Sequence, residues 1–246
     1  MKNSDTNFSK SHWANEEFAA GYLDESDLFI PQRKQVLELI KFIFSYYIPR
    51  ELKNPYIIDL GCGNGVITKA LMEVNNNLQS TLVDGSEHML ESAKKNIPGS
   101  NIRNTINISF QNLYKSSLIE DNADFIASSL AIHHLDDKEK DLLFKYIYSK
   151  LKPGCLFVNF DPVLSPSQEL EKLNLAMWKE WILNIESKIN PKRDKSVDYM
   201  PAQYKSNKDN IPGTLDSQLE MLTNAGFLDV TLYYKYGLFC LFGGRK

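Results

Sequence analysis

From about residue 54 onward, short apolar runs alternate with stretches in which apolar residues recur every three or four positions. Tyr56-Ile57-Ile58-Asp59-Leu60 is a five-residue apolar run closed by Gly61, the pattern of a buried strand. Val66, Ile67, Ala70, Leu71 and Val74 then fall on one helix face. Ser80-Thr81-Leu82-Val83-Asp84 predicts a second strand, and Ser86 an N-cap for a helix over 87–96, ended by Pro98-Gly99. A third strand is expected over 106–110 and a fourth over 123–130. Asp136 or Asp137 caps the next helix, which runs to Lys150 and stops at Lys152-Pro153-Gly154. A fifth strand follows over 155–160.

Strands that are apolar along their whole length are buried on both faces, as in parallel sheets covered by crossover helices. The fold class is therefore α/β. The tail departs from that rhythm. A helix over 215–225, closed by Gly226, is followed by strands over 229–236 and 238–242 with only Gly237 between them, so the last two must be antiparallel. Two segments stand outside the alternation. Residues 11–50 read as an N-terminal helical region whose second half, from Val36 to Phe44, is amphipathic. Residues 161–213 read as an insertion with a long helix from Leu170 through Trp178 and Trp181 to Ile185, broken afterwards by Pro191, Pro201 and Pro212.

A length of 246 residues suffices for a sizeable core, and one domain spanning 1–246 is expected. The net charge of −3 gives no basic footprint for nucleic acid, and the basic run Lys192, Arg193, Lys195 is interrupted by Asp194. No nucleic-acid partner is expected. Cys62, Cys155 and Cys240 are odd in number and widely spaced, which argues against a disulfide framework and a structural zinc site. Met1 to Lys10 is polar, without an apolar signal core, and no window approaches a membrane span. A cytoplasmic monomer or homodimer, away from membranes, is expected.

The chemistry concentrates in Asp59-Leu60-Gly61-Cys62-Gly63-Asn64-Gly65, which links a predicted strand to a predicted helix. Glycines there let the backbone turn tightly and approach a ligand. No Lys-Ser or Lys-Thr follows, so the loop is not a phosphate-cradling P-loop. Asp84 ends the next strand, where a carboxylate can accept both hydroxyls of a ribose. Asp59, just before the first glycine, would repel a pyrophosphate and suits a ligand with a cationic amino-acid end. An NAD-dependent oxidoreductase is disfavoured on that ground and by the terminal hairpin.

These segments resemble the class I S-adenosylmethionine-dependent methyltransferases. The resemblance rests on Ile57 through Gly65, on Leu82-Val83-Asp84-Gly85-Ser86 with Met89, Leu90 and Ala93, on Leu151-Lys152-Pro153-Gly154, and on Gly226-Phe227 with the hairpin after it. It covers 54–160 and 214–246. It implies a Rossmann-like sheet of seven strands in the order 3-2-1-4-5-7-6, with strand 7 antiparallel, and S-adenosylmethionine as cofactor. Gly61, Cys62 and Gly63 would line its methionine part, Asp84 would hold the ribose, and Gly85 and Met89 would flank the adenine. Gln111, Asn112 and Leu113 would meet the adenine edge, with Asn112 where the family often has an acid. Ser129 and Leu130 would lie beside the sulfonium.

Ile132-His133-His134-Leu135 follows the fourth strand. His133 or His134 could serve as general base toward a methyl acceptor; equally, the pair could shape the loop and cap the helix. No matched ligands for a metal accompany them. Trp13, Phe18, Tyr22 and Phe29 with Arg33 read either as a lid, with Tyr22 and Arg33 at the cofactor, or as a packing face. Trp178 and Trp181 read as core packing or substrate stacking, and Tyr233, Tyr234 and Tyr236 as sheet residues or pocket wall. The expected activity is methyl transfer to a small-molecule acceptor capped by 11–50 and 161–213. The alternatives are a non-catalytic S-adenosylmethionine-binding protein and a carboxy-S-adenosylmethionine synthase-like enzyme.

Overall fold

The computed structural model describes residues 28–49, 51–189 and 200–246. Trp13, Phe18, Tyr22 and the 192–195 charge run lie outside the described residues. The order of elements is α1 (Arg33–Tyr47), β1 (Tyr56–Leu60), α2 (Val66–Met72), β2 (Gln79–Asp84), α3 (Glu87–Asn96), β3 (Ile102–Asn107), α4 (Phe110–Leu113), β4 (Ala123–Ser129), α5 (Asp137–Lys150), β5 (Leu151–Pro162), α6 (Gln168–Ile189), α7 (Met200–Ser206), α8 (Leu215–Ala225), β6 (Leu228–Tyr236) and β7 (Phe239–Arg245). The seven strands form one sheet, ordered β3-β2-β1-β4-β5-β7-β6. All pairs are parallel except those of β7, which runs antiparallel to both β5 and β6.

The period of two along the strands assigns side chains to two cores. Ile57, Phe125, Leu156, Val158 and Leu241 face α1, α2 and α6, meeting Val36, Ile40, Phe44, Leu71, Trp178 and Ile182. Ile58, Ile126, Phe157, Cys240 and Phe242 face α5 and α8, meeting Leu143, Phe144, Ile147 and Leu222. Burying a side chain such as Phe44 or Phe144 stabilises by roughly 1.5–3 kcal/mol. A third cluster beneath α3 joins Leu82 to Leu90, Ala93 and Ile97.

Local chemistry ends the elements where the site must form. Asp136 caps α5 by accepting from Glu139 N at 2.8 Å, while the Glu139 carboxylate accepts from Asp136 N, a reciprocal capping box. Gly226, at φ 106°, closes α8 in the left-handed conformation. The third strand lies four residues earlier than the apolar pattern implies. Its exposed Arg103 and Asn104 disguise an edge strand, and Phe110 opens a short helix instead of ending a strand. Trp178 serves the core, with its indole N–H donating to Phe29 O at 2.6 Å and its ring edge-on to Phe239 and Tyr204. Trp181 and the half-buried Tyr233 and Tyr234 also pack against that core.

Candidate active site

A cavity of about 300 Å³ opens at the carboxyl ends of β1, β2 and β4, the place where open α/β sheets bind ligands. The loop after β1 forms its floor. Cys62 N donates to Val83 O at 3.0 Å, tying the loop to the end of β2. Gly61 sits at φ +65°, and a Cβ there would come within 2.3 Å of the Ala131 Cβ. Only glycine lets the loop lie against the end of β4 in that left-handed conformation.

Asp84 organises the same loop. One of its oxygens accepts from Gly63 N at 2.9 Å and the other from Ser86 N at 2.8 Å. Each carboxylate oxygen has two lone-pair directions, so the group can still accept from a vicinal diol. Burial pushes its pKa up to about 6, against the pull of those two backbone donors. Asp59, 1% exposed, accepts at one oxygen from both the Thr68 hydroxyl, at 2.7 Å, and Thr68 N, at 3.2 Å. Burial raises it to about 7, and the nearby Asp84 charge pushes the same way. Two carboxylates held this close to neutrality by desolvation form a site that gains by receiving a cation. Burial also raises the Cys62 thiol, which keeps it protonated in the cavity wall.

The remaining walls come from four places. Gly85 and Met89 lie on the Asp84 side. Ile108, Ser109, Phe110 and Gln111 come from the β3–α4 junction. Ser129, Leu130 and Ala131 come from the end of β4, and Arg33 from the first turn of α1. Leu130 has φ +55°, a strained conformation for a β-branch-free but bulky residue, held by its N–H donating to Phe160 O at 2.8 Å. Lys208, Asp209 and Ile211, from the strap between α7 and α8, complete the lining.

Of the residues singled out in the sequence, Arg33, Asp59, Gly61, Cys62, Gly63, Asp84, Gly85, Met89, Gln111, Ser129, Leu130 and His134 all line this one cavity. Asn112 and Leu113 do not: the 110–113 turn is helical, so it sends Leu113 into the core and gives the wall to Ile108, Ser109 and Phe110. Tyr22 lies outside the described residues. Tyr233, Tyr234 and Tyr236 are not in the wall.

The two histidines part company. His133 is buried, and its Nδ1–H donates to Asp161 at 2.7 Å; it does not reach the lining. His134, its ring 4.0 Å from that of His133, does. Its Nδ1 lies 2.8 Å from Asp209 O, and a carbonyl only accepts, so Nδ1 carries the hydrogen. Desolvation, together with the neighbouring His133, drives the His134 pKa down to about 3. Both residues hold the strap: Ile211 N donates to His133 O at 2.8 Å, and the buried Lys140 ammonium donates to Ile211 O at 2.6 Å and to Leu135 O. The strap residues escaped the sequence reading because they meet the histidines across more than 70 positions of chain.

Residues 57–154 match the family model described as "Methyltransferase domain". Over 233 residues the chain is 24% identical to the carboxy-S-adenosyl-L-methionine synthase of Nautilia profundicola, covering 92% of this chain and 91% of that one. Its fold matches an O-methyltransferase family protein from Burkholderia thailandensis with a TM-score of 0.64 at 13% identity, over 97% of this chain and 62% of that one. It also matches human N-acetylserotonin methyltransferase in complex with SAM, with a TM-score of 0.53 at 19% identity, over 95% of this chain and 59% of that one. The chain thus spans about six-tenths of the length of those two structures. The strand order, with β7 antiparallel to both of its neighbours, is that of the Rossmann-like methyltransferase fold, and residues 57–154 carry the match to a methyltransferase domain.

Proposed function

We propose that this protein transfers the methyl group of S-adenosylmethionine to a small-molecule acceptor enclosed between the end of β4 and the strap over 207–211. The observation that carries this reading is that one cavity runs from the Asp84 carboxylate and the glycine loop to His134 and the strap. The donor set fits the cofactor. Asp84 would accept from the ribose hydroxyls, Gly85 and Met89 would flank the adenine, and Arg33 would face a carboxylate. Asp59 would stabilise the cationic amino-acid end, through the loop that its Thr68 bonds hold in place.

When bound, S-adenosylmethionine supplies a methyl group already activated on a sulfonium. The chain then has to orient the acceptor and keep water out, and such positioning can account for much of the rate. Leu130, Ala131, Leu135 and Ile211 give that end of the cavity apolar walls. His134, with its pKa near 3, is too weak a base to take a proton near neutral pH. Its role is to hold the strap at Asp209 O and to present a neutral ring to the acceptor, while His133, fixed by Asp161, supports it from behind.

The Nautilia relative motivates a second reading, in which the chain modifies the cofactor itself to a carboxylated form. Incubation with S-adenosylmethionine and a metabolite panel, followed by mass spectrometry, separates the two. Methyl transfer gives S-adenosylhomocysteine and an acceptor heavier by one methylene; the second reading gives a carboxylated cofactor and no methylated acceptor. S-adenosylmethionine bound but unchanged under every condition would reduce the protein to a binder.

A further inference from the structure

The strap carries a feature that cofactor binding does not use. Asn207 to Asn210 form a closed turn: Asn210 N donates to Asn207 O at 3.1 Å, and Asp209 N to the Asn207 side-chain oxygen at 2.9 Å. The turn is fastened on both sides. Asn207 N donates to Gln203 O and the Asn210 amide to Tyr204 O, both in α7, while His134 Nδ1–H donates to Asp209 O. Ile211 is held in turn by His133 O and by Lys140. Lys208 sits second in this turn and lines the cavity. It makes no ion pair or hydrogen bond among the described residues. Its neighbours at this end of the cavity are His134, held neutral, and the apolar Leu135 and Ile211, with Asp209 adjacent on the turn.

A lysine on a turn fixed at five points, beside Asp209 and with the apolar Leu135 and Ile211 in the same cavity lining, is a recognition element for one anionic group on a largely apolar molecule. We propose that Lys208 binds the carboxylate or phosphate of the methyl acceptor, so that the acceptor class is an amphipathic organic anion. This rests on the methyltransferase reading above and adds the acceptor's chemistry to it. The ammonium is a compact point charge and does not distinguish carboxylate from phosphate by geometry, so the test carries both.

The experiment is calorimetric titration of the 246-residue chain, preloaded with S-adenosylhomocysteine, with benzoate, phenyl phosphate and the neutral twin benzyl alcohol. The expected result is that at least one anion binds about tenfold more tightly than benzyl alcohol, that the advantage shrinks with salt, and that Lys208→Met removes it while Lys208→Arg keeps it. Which anion wins names the group. Unfolding midpoints equal to wild type show that the variants fold. The proposal is overturned if the anions bind no better than the alcohol, or if their advantage survives in Lys208→Met. A chain that takes up no S-adenosylhomocysteine before any anion is added fails at the cofactor instead, and that outcome overturns the methyltransferase reading on which this one stands.

Discussion

The buried Asp59 and the half-buried Asp84 set the site's response to pH. Asp59, raised to about 7, and Asp84, raised to about 6, hold protons in the folded chain that the unfolded chain releases near the ordinary carboxylate value of about 4. Between those limits the folded state binds more protons than the unfolded, so stability falls as pH rises through 4 to 7. His134 acts oppositely. It is neutral in the fold down to about 3, whereas the unfolded chain protonates it near 6.5, so its contribution is lost as pH falls through that window. A cationic ligand favours ionised Asp59, so affinity for S-adenosylmethionine is expected to rise several-fold from pH 5.5 to 8. Asp59→Asn should flatten that rise in calorimetric titrations. An unchanged pH profile in the variant would remove Asp59 from the cation's surroundings.

At the scale of elements, the antiparallel β7 is the most demanding piece of packing. A Cβ on Gly243 would lie 2.0 Å from Phe157 O on the neighbouring β5, and that atom is backbone in the middle of the sheet. Gly243→Ala is therefore expected to destabilise by roughly 3 kcal/mol, at the upper end of the overpacking range, read as a lowered urea midpoint. Lys140 tests the strap. Lys140→Met removes the donor from two carbonyls, and leaving buried acceptors unsatisfied costs about 1–3 kcal/mol. The expected outcome is a lower unfolding temperature and a KM for the acceptor raised more than the Kd for S-adenosylhomocysteine. Equal effects on both constants would mean that the strap also shapes the cofactor end.

The same elements show what patterning can and cannot reveal. Strands β1, β2 and β4 were legible because burial on both faces leaves largely apolar runs, and α8 because Gly226 marks its end. The edge strand β3 was misplaced, since exposed Arg103 and Asn104 carry no such signal. That error moved Asn112 and Leu113 into a wall they do not form. β5 begins at Leu151 rather than Cys155 because Leu151 pairs with Ala123 before the sheet shifts register, which a Pro-Gly turn signal conceals.

For the whole molecule, the glycine loop and Asp84 were readable as local spacing, but the other half of the cavity was not. Lys208, Asp209 and Ile211 reach it with the strap bonded to Lys140, His133 and His134, through contacts that no local pattern encodes. On the proposed function, labour is divided: the sheet's carboxyl ends would hold the nucleoside, and the strap would select what is placed beside it. Among the described residues no helix is long and apolar enough to cross a membrane.

On the proposed function a ribose-bearing cation sits on Asp84. Isothermal titration with S-adenosylmethionine on the wild-type chain and on Asp84→Asn tests it most directly. One site per chain, with affinity at least tenfold weaker in the variant, is the predicted result. No heat of binding in the wild type, or the same affinity in both proteins, would contradict it.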